Sequence, residues 1–483
     1  MKLADISSLT FQNPELRRFA WLDMSPIRLV LAPALILLVL SMLNISEYDA
    51  KLTYQACYMA FIALTICGGS FQIAQTVISE RLNGTWEWQK LSALTAGKLT
   101  VGKLIGGCLY KWYSGAILLG IMLYVSFGFG PEGVNLAKVG DRAPQVVTVS
   151  STVYFIIALI LAALAAHGVT LFLSSIQAGR IAKQTRMSAL SVALPGALGG
   201  IGLAIAALAA VTATASIEGL NRAIPAVQWY GATPDVSTFN FFSQCFFAFW
   251  AVYAAYRLMR HQLQYNDTIL AFIAFLMTFT AYWSGFGEGT ADFRENPLEY
   301  LRVHTVPLFV CILACYFVAP LEAMQTTRYP RWWADVKAKA WERLIYTTPL
   351  WFVAYAILTL FCFGRIAFAQ GSTLVVTSFY LPMLLFIMRD MLVLHLLVLM
   401  KSNKRALAAF GLYLFVAYLG LPFLFKESIA TNEFTASLFF PLPAKTSGQL
   451  LSHMIPVIVQ CVGLGSWLFS RWQDRQKLLE SGK

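Results

Sequence analysis

Charge is scarce in this sequence. Only 12% of its 483 residues are Asp, Glu, Lys or Arg while 58% are hydrophobic, whereas an average soluble domain carries about 25% charged residues. No water-soluble core of this length could hide so much apolar surface, which excludes a globular chain bathed in water. Cysteine chemistry is missing too. The eight cysteines all fall inside apolar segments and lack the paired loop spacing of a disulfide framework or a zinc site. No set of Cys, His, Asp and Glu has metal-ligand spacing. No Ser, His and Asp constellation stands out, so the sequence assigns no catalytic residue and no metal. No Gly-x-x-x-x-Gly-Lys-Ser/Thr phosphate loop occurs, and no segment between apolar runs is long enough for an ATPase domain. The chain is not expected to hydrolyse ATP or to bind a cofactor of its own.

What is present is a series of apolar runs of about 20 residues, each long enough to cross a bilayer as a helix. They fall near 27–45, 54–78, 104–129, 150–175, 187–214, 237–257, 267–286, 303–323, 347–369, 374–400, 405–425 and 449–470. The first follows a polar segment with Asp5, Glu15 and Asp23 and lacks a small-residue cleavage site, so it is expected to remain in the membrane. A formal charge of +12 would suggest nucleic acid in a soluble protein. Here the placement of Lys and Arg decides otherwise, because these residues are retained on the cytoplasmic side. With the N-terminus inside, 25 of them fall in inside segments and 8 in outside loops. One missed or invented span would scramble that alternation downstream, so it supports twelve spans with both ends cytoplasmic and no nucleic-acid partner.

The expected fold is therefore all-α and integral to the membrane. Its twelve helices read as two pseudo-repeated six-helix halves, residues 1–262 and 263–483, alike in topology and hydropathy rather than in residue identity. In each half a cytoplasmic link too long for a turn and too short for a domain joins the second and third spans.

The first link, residues 79–103, contains Glu80, Arg81, Gly84, Thr85, Trp86, Glu87, Trp88, Leu91, Gly102 and Lys103. Gly84 permits a tight turn, Thr85 can cap a helix start, and Glu87 suits the positive end of a helix dipole. Trp86, Trp88 and Leu91 add apolar bulk to a segment already in water, which calls for a partner or a membrane surface. Arg81, Gly84-Thr85-x-Glu87, Leu91 and Gly102-Lys103 resemble the motif between the second and third spans of type-2 ABC transporter permeases, the membrane subunits of exporters. Asn13-Pro14-Glu15-Leu16-Arg17-Arg18 is similar to the start of their amphipathic elbow helix. The proline usual in the middle of the motif is replaced near Ala93.

The resemblance implies that residues 79–103 form a coupling helix docked on a separate ATPase subunit. ATP and Mg would sit on that partner, with two copies of it per chain and room for another permease or accessory subunit. It also implies the plasma (inner) membrane of a prokaryote. In the second half, residues 326–345 lack the motif. Trp333, Val336, Ala340, Trp341 and Leu344 fall on one helical face beside Trp332, giving either a degenerate coupling helix or a plain membrane-surface helix.

Charged residues at bilayer depth are rare and usually functional or paired. His167, Arg389, Asp390 and His395 are the candidates for a translocation path, against a reading in which they only fix helix packing. Two other functional classes remain open. A twelve-span secondary transporter driven by an ion gradient has the same layout, but carries a different motif between spans two and three. A membrane transferase would need clustered acids, and the outer residues Glu288, Asp292, Glu295 and Glu299 read as a solvated loop.

Overall fold

A computed structural model of the chain describes residues 13–43, 50–92, 94–128, 134–135, 146–147, 149–181, 189–214, 228–265, 268–286, 308–323, 328–367, 373–400, 403–426, 433–439, 444 and 446–480. These residues are nearly all helical. Among them, β-structure is confined to an antiparallel pairing of Val134–Asn135 with Val146–Val147 and a bridge between Trp229 and Ala232. Ala93 and the acidic loop of Glu288, Asp292, Glu295 and Glu299 lie outside the described residues.

Among the described residues, seven helices are long and apolar enough to cross a membrane, and an eighth arises if Pro14–Asp23 and Pro26–Met42, bent by 68°, count as one span. The chain is thus a multi-pass membrane protein. The four remaining apolar runs also carry helices. Leu270–Ser284 has 15 residues, about 22 Å of helix, against a hydrocarbon core of about 30 Å. Phe309–Ala323 has the same length, whereas Ala189–Thr214, with 26 residues, is long enough to span. Val236–Gln262 is long enough, but Asn240, Gln244, Arg257 and Arg260 dilute its apolar character.

Internal packing divides the chain into two units, residues 1–227 with 233–267 and residues 228–232 with 268–483. In the first unit the helix Val149–Ile181 packs against Ala189–Thr214, Val236–Gln262 and Gly68–Leu82. Lipid supplies no hydrophobic drive between helices, so close van der Waals contact between small residues must do this work. Ala158, Ala162, Ala163 and Ala166 line the buried face. A Cβ at Gly200 would come within 2.6 Å of the Ala166 side chain, so glycine sets the crossing distance there.

In the second unit the helix Thr373–Met400 packs against Ser447–Glu480, Asn403–Phe415, Phe309–Ala323 and Leu350–Ala367. Leu384, Ile387, Met391 and Leu394 supply its buried stripe. Both units carry a π turn within a long helix, Ile62–Cys67 and Val416–Gly420. Such turns often accompany functional sites.

Candidate functional site: a buried charge clamp beneath an exposed apolar helix

Five short elements of the first unit build the link. They are labelled α1 (Pro14–Asp23), α2 (Pro26–Leu43), α3 (Gly68–Leu82), α4 (Thr85–Leu91) and α5 (Ala96–Ile105). Pro26 helps to end the run between α1 and α2, since a residue preceding proline leaves helical geometry. Asn13 starts α1: its carboxamide oxygen accepts from the Glu15 N–H at 3.0 Å, and its nitrogen donates to the Lys98 carbonyl at 2.7 Å. Proline at the first helical position has no N–H to leave unpaired. The elbow is thereby tied to the first turn of α5.

Gly102 explains how close that contact is. A Cβ there would stand 2.6 Å from the Glu15 Cγ, and one at Gly106 would stand 2.9 Å from the Phe19 ring. With α1 lying on this glycine track, Glu15 reaches Lys103, the residue after Gly102. Lys103 is 1% exposed, and its ammonium contacts Glu80 and, at 3.6 Å, Glu15. Arg18 closes the ring, donating to Glu15 at 2.7 Å and to Glu80 at 2.6 Å. Two acids meet two bases, three of the four buried and Arg18 at the half-exposed rim, so the cluster is neutral, the condition under which charges survive burial.

The turn into α4 rests on this clamp. Gly84 takes φ +71°, the left-handed region that favours glycine. Thr85 does not cap α4 as expected. Gly84 holds the cap position, and the Thr85 hydroxyl instead donates to the Glu80 carbonyl at 3.1 Å, satisfying the end of α3. Trp86 is buried, with the Arg81 guanidinium 4.3 Å and the Lys103 ammonium 5.2 Å from its ring. Glu87 pairs with Lys90 at 3.0 Å and sits 4.0 Å from Arg81. The residues left facing outward are Leu82, Trp88 and Leu91, at 61, 76 and 81% exposure.

The candidate residues therefore split. Glu80, Trp86, Gly102 and Lys103 make a buried foundation, while Trp88 and Leu91 stand on it. Sequence reasoning missed Asn13, Glu15 and Arg18 as members of the clamp, although the Asn-Pro-Glu start was visible. Gly97 to Lys103 has Gly-x-x-x-x-Gly-Lys spacing, but Leu104 follows, the segment is helical, and Lys103 is committed to two carboxylates. It is not a phosphate loop.

In the second unit the link forms α6 (Arg328–Lys337) and α7 (Trp341–Thr347), leading into α8 (Leu350–Ala367). The single apolar face expected from Trp333 to Leu344 is interrupted. Lys339 takes φ +51°, the Lys339 N–H donates to the Val336 carbonyl, and the Ala340 N–H donates to the Asp335 carbonyl. This paired closure is the Schellman end of a helix. Trp333 and Trp341 are exposed, whereas Trp332 and Val336 are half-buried, Trp332 against Phe352. Glu322, which the sequence reading passed over, is buried and accepts from the Leu350 and Trp351 N–H groups at 3.0 Å each.

The path candidates fall in separate units. His167 is fully buried in the first, its Nε2 2.9 Å from the Thr65 carbonyl of the π turn and its ring edge-on to Trp112. In the second, His395 Nδ1 lies 2.6 Å from the Met391 carbonyl and Nε2 2.8 Å from the Tyr329 hydroxyl. Because a carbonyl only accepts, Nδ1 carries the proton and Nε2 accepts from Tyr329, which in turn accepts from Trp351. Arg389 and Asp390 are paired with each other at 3.0 Å.

Residues 41–226 match the family model described as ABC-2 family transporter protein. No curated protein and no solved structure matches the chain. The matched region contains Glu80, the whole of α4 and Lys103, and so covers half of the clamp and all of the apolar helix on it. Residues 41–226 of this membrane protein thus carry an ABC-2 family transporter domain, which supports a type-2 ABC permease.

Proposed function

We propose that this chain is the membrane-spanning subunit of an ATP-driven exporter, lining the translocation path and coupling to two copies of a separate ABC ATPase. The observation that carries the reading is the division of labour in residues 79–103. A buried, charge-neutral clamp holds a seven-residue helix rigidly, and that helix presents Leu82, Trp88 and Leu91 to the outside. An apolar knob costs stability in water and gains it in a partner's groove. A clamp joining it to α1, α3 and α5 would carry a push on the knob into the spans themselves.

The same reading places both termini in the cytoplasm of a prokaryote's inner membrane. It counts twelve spans in two halves, and every one of the twelve apolar runs carries a helix. ATP and Mg would be held by the partner. His167 and the Arg389, Asp390 and His395 group would face or support the path.

Single cysteines at Trp88 and Trp333, crosslinked to a co-purified ATPase in native membranes, test the coupling. Contact at Trp88 is expected, and contact at Trp333 would make α6 a second coupling helix. Contact from neither position, or transport driven by an ion gradient without nucleotide, would overturn the reading.

A further inference from the structure

The second unit contains a cleft that the coupling scheme does not use. It has a volume of about 630 Å³ and is lined by Arg389, Tyr413 and Gln460 on one wall and by Val393, Leu421, Leu438, Phe439 and Leu464 elsewhere. That size and that mixture, mostly apolar with a few convergent polar groups, are those of a small-molecule site.

Its polar wall is built with care. Asp390 is fully buried and accepts hydroxyl donors from Tyr316 at 2.6 Å, Tyr413 at 2.7 Å and Tyr418 at 2.6 Å. The Arg389 Nε and Nη2 donate to the same carboxylate at 3.1 and 3.0 Å. Tyr413 and Tyr418 are five residues apart, which on an α-helix would set them about 140° from each other. The π turn Val416–Gly420 takes in the extra residue and lets both phenols reach one acid.

Arg389 is then nearly spent. Its side chain is 8% exposed. Beyond Asp390, it donates Nη2 to the Tyr418 hydroxyl at 3.1 Å and Nη1 to the Gln460 carbonyl oxygen at 3.3 Å. A guanidinium has five N–H donors, so one on Nη1 is left beside the cleft, next to the amide nitrogen of Gln460. Because Arg389 and Asp390 cancel, the wall offers donors without net charge. A charged head would have to bury itself uncompensated, whereas an uncharged oxygen acceptor costs little and satisfies the spare N–H.

We propose that this cleft binds an uncharged amphiphile, an apolar chain or ring bearing an ester or amide carbonyl, with the carbonyl accepting from Arg389 and Gln460. Entry is lateral: the helices around Leu412, Leu419, Val459 and Val462 turn exposed apolar faces outward beside it. The chemistry fits a bilayer lipid or a cargo of the same kind. The inference needs only that the unit lies in a membrane, and stands or falls apart from ATPase coupling.

The full chain in lipid nanodiscs, labelled by a photoreactive monoacylglycerol, tests it. Labelling is expected at residues near Arg389 and Gln460, with competition by unlabelled monoacylglycerol about tenfold stronger than by the fatty acid or alkylamine of equal chain length. Substituting Arg389 could unfold the unit, so the site is blocked instead by Gly463→Phe. Gly463 lines the cleft and a Cβ there meets nothing within 4 Å, so this variant is expected to keep its thermal midpoint and lose labelling. Unchanged labelling in Gly463→Phe, or better competition by the fatty acid, would overturn the proposal. Mass spectrometry of lipids co-purified from the native host separates the two sources. An endogenous ester displaced by the probe marks a resident lipid, and an empty site that the probe fills marks a cargo; a bound species without a carbonyl would overturn the proposal.

Discussion

The two links, residues 79–103 and 328–347, solve one mechanical problem with different chemistry. In each, the helix before the link ends in a buried glutamate that reaches the start of the long helix after it. In the first unit Glu80 meets the side chains of Lys103 and Arg18. In the second, Glu322 meets two backbone N–H groups at the start of α8. Side-chain charges can be shared among several elements, and Glu80 belongs to a ring that also captures the elbow through Glu15. A helix N-terminus serves only the helix it begins. The first link is thus a junction of four elements, and the second, through these two bonds, a hinge where α8 begins.

That difference makes the largest effect predictable. Lys103→Met leaves Glu15 and Glu80 facing each other with Arg18 as the one cation bonded to both. Losing one member of a buried ion cluster typically costs about 3–5 kcal/mol. The thermal midpoint of the purified protein should fall accordingly, and protease access at the elbow should rise. The double variant Glu80→Gln with Lys103→Met restores neutrality and should recover much of the loss. No recovery would mean that the lysine acts by packing rather than by charge.

Next in size is the loss of the exposed knob. Trp88→Asp and Leu91→Asp should each weaken ATPase association by about 2–4 kcal/mol, the range of an interface hot spot, without moving the midpoint, since neither side chain is buried. Trp341→Asp in the second link should do less. Equal losses at Trp341 and Trp88 would erase the functional distinction between the two links.

The sequence made much of this legible, for a physical reason. Apolar run length and the sign asymmetry of Lys and Arg report on the bilayer directly, so the helices appeared where the runs were. The motif Gly84-Thr85-x-Glu87 located the link. Its inner and outer faces were not legible, because Trp86 and Trp88 are the same residue type two positions apart, and only the cationic cage of Arg81 and Lys103 decides which one is buried. The break at Lys339 was equally hidden, as lysine carries no turn signal and its left-handed φ is imposed by the Schellman closure. The tyrosines around Asp390 escaped because a π turn, not a helical period, brings Tyr413 and Tyr418 together.

A smaller effect is expected at Glu322. Glutamine keeps an oxygen acceptor for one N–H of α8 but loses the charge that complements the helix start, a loss of about 1–2 kcal/mol. A fall in midpoint as large as that of Lys103→Met would show that Glu322 also belongs to a wider network, and would dissolve the contrast between junction and hinge.

The finest comparison is between two residues that share one backbone region. Gly84 at φ +71° and Lys339 at φ +51° both terminate a helix in left-handed geometry, but only one is glycine. An L side chain in this region costs about 1–2 kcal/mol, while glycine gives back about 0.5–1 kcal/mol through the freedom of the unfolded chain. Gly84→Ala should therefore destabilise by about 1 kcal/mol from backbone strain alone, since no atom stands within 4 Å of the new Cβ. Gly84→Asn should lose less, because asparagine tolerates this region better than alanine. At the second link the sign reverses, and Lys339→Gly should gain about 0.5 kcal/mol, read as a small rise in midpoint. If Gly84→Ala proved neutral, the turn into α4 would not be held at positive φ by the clamp beneath it, and the rigid seating of Trp88 would lose its foundation.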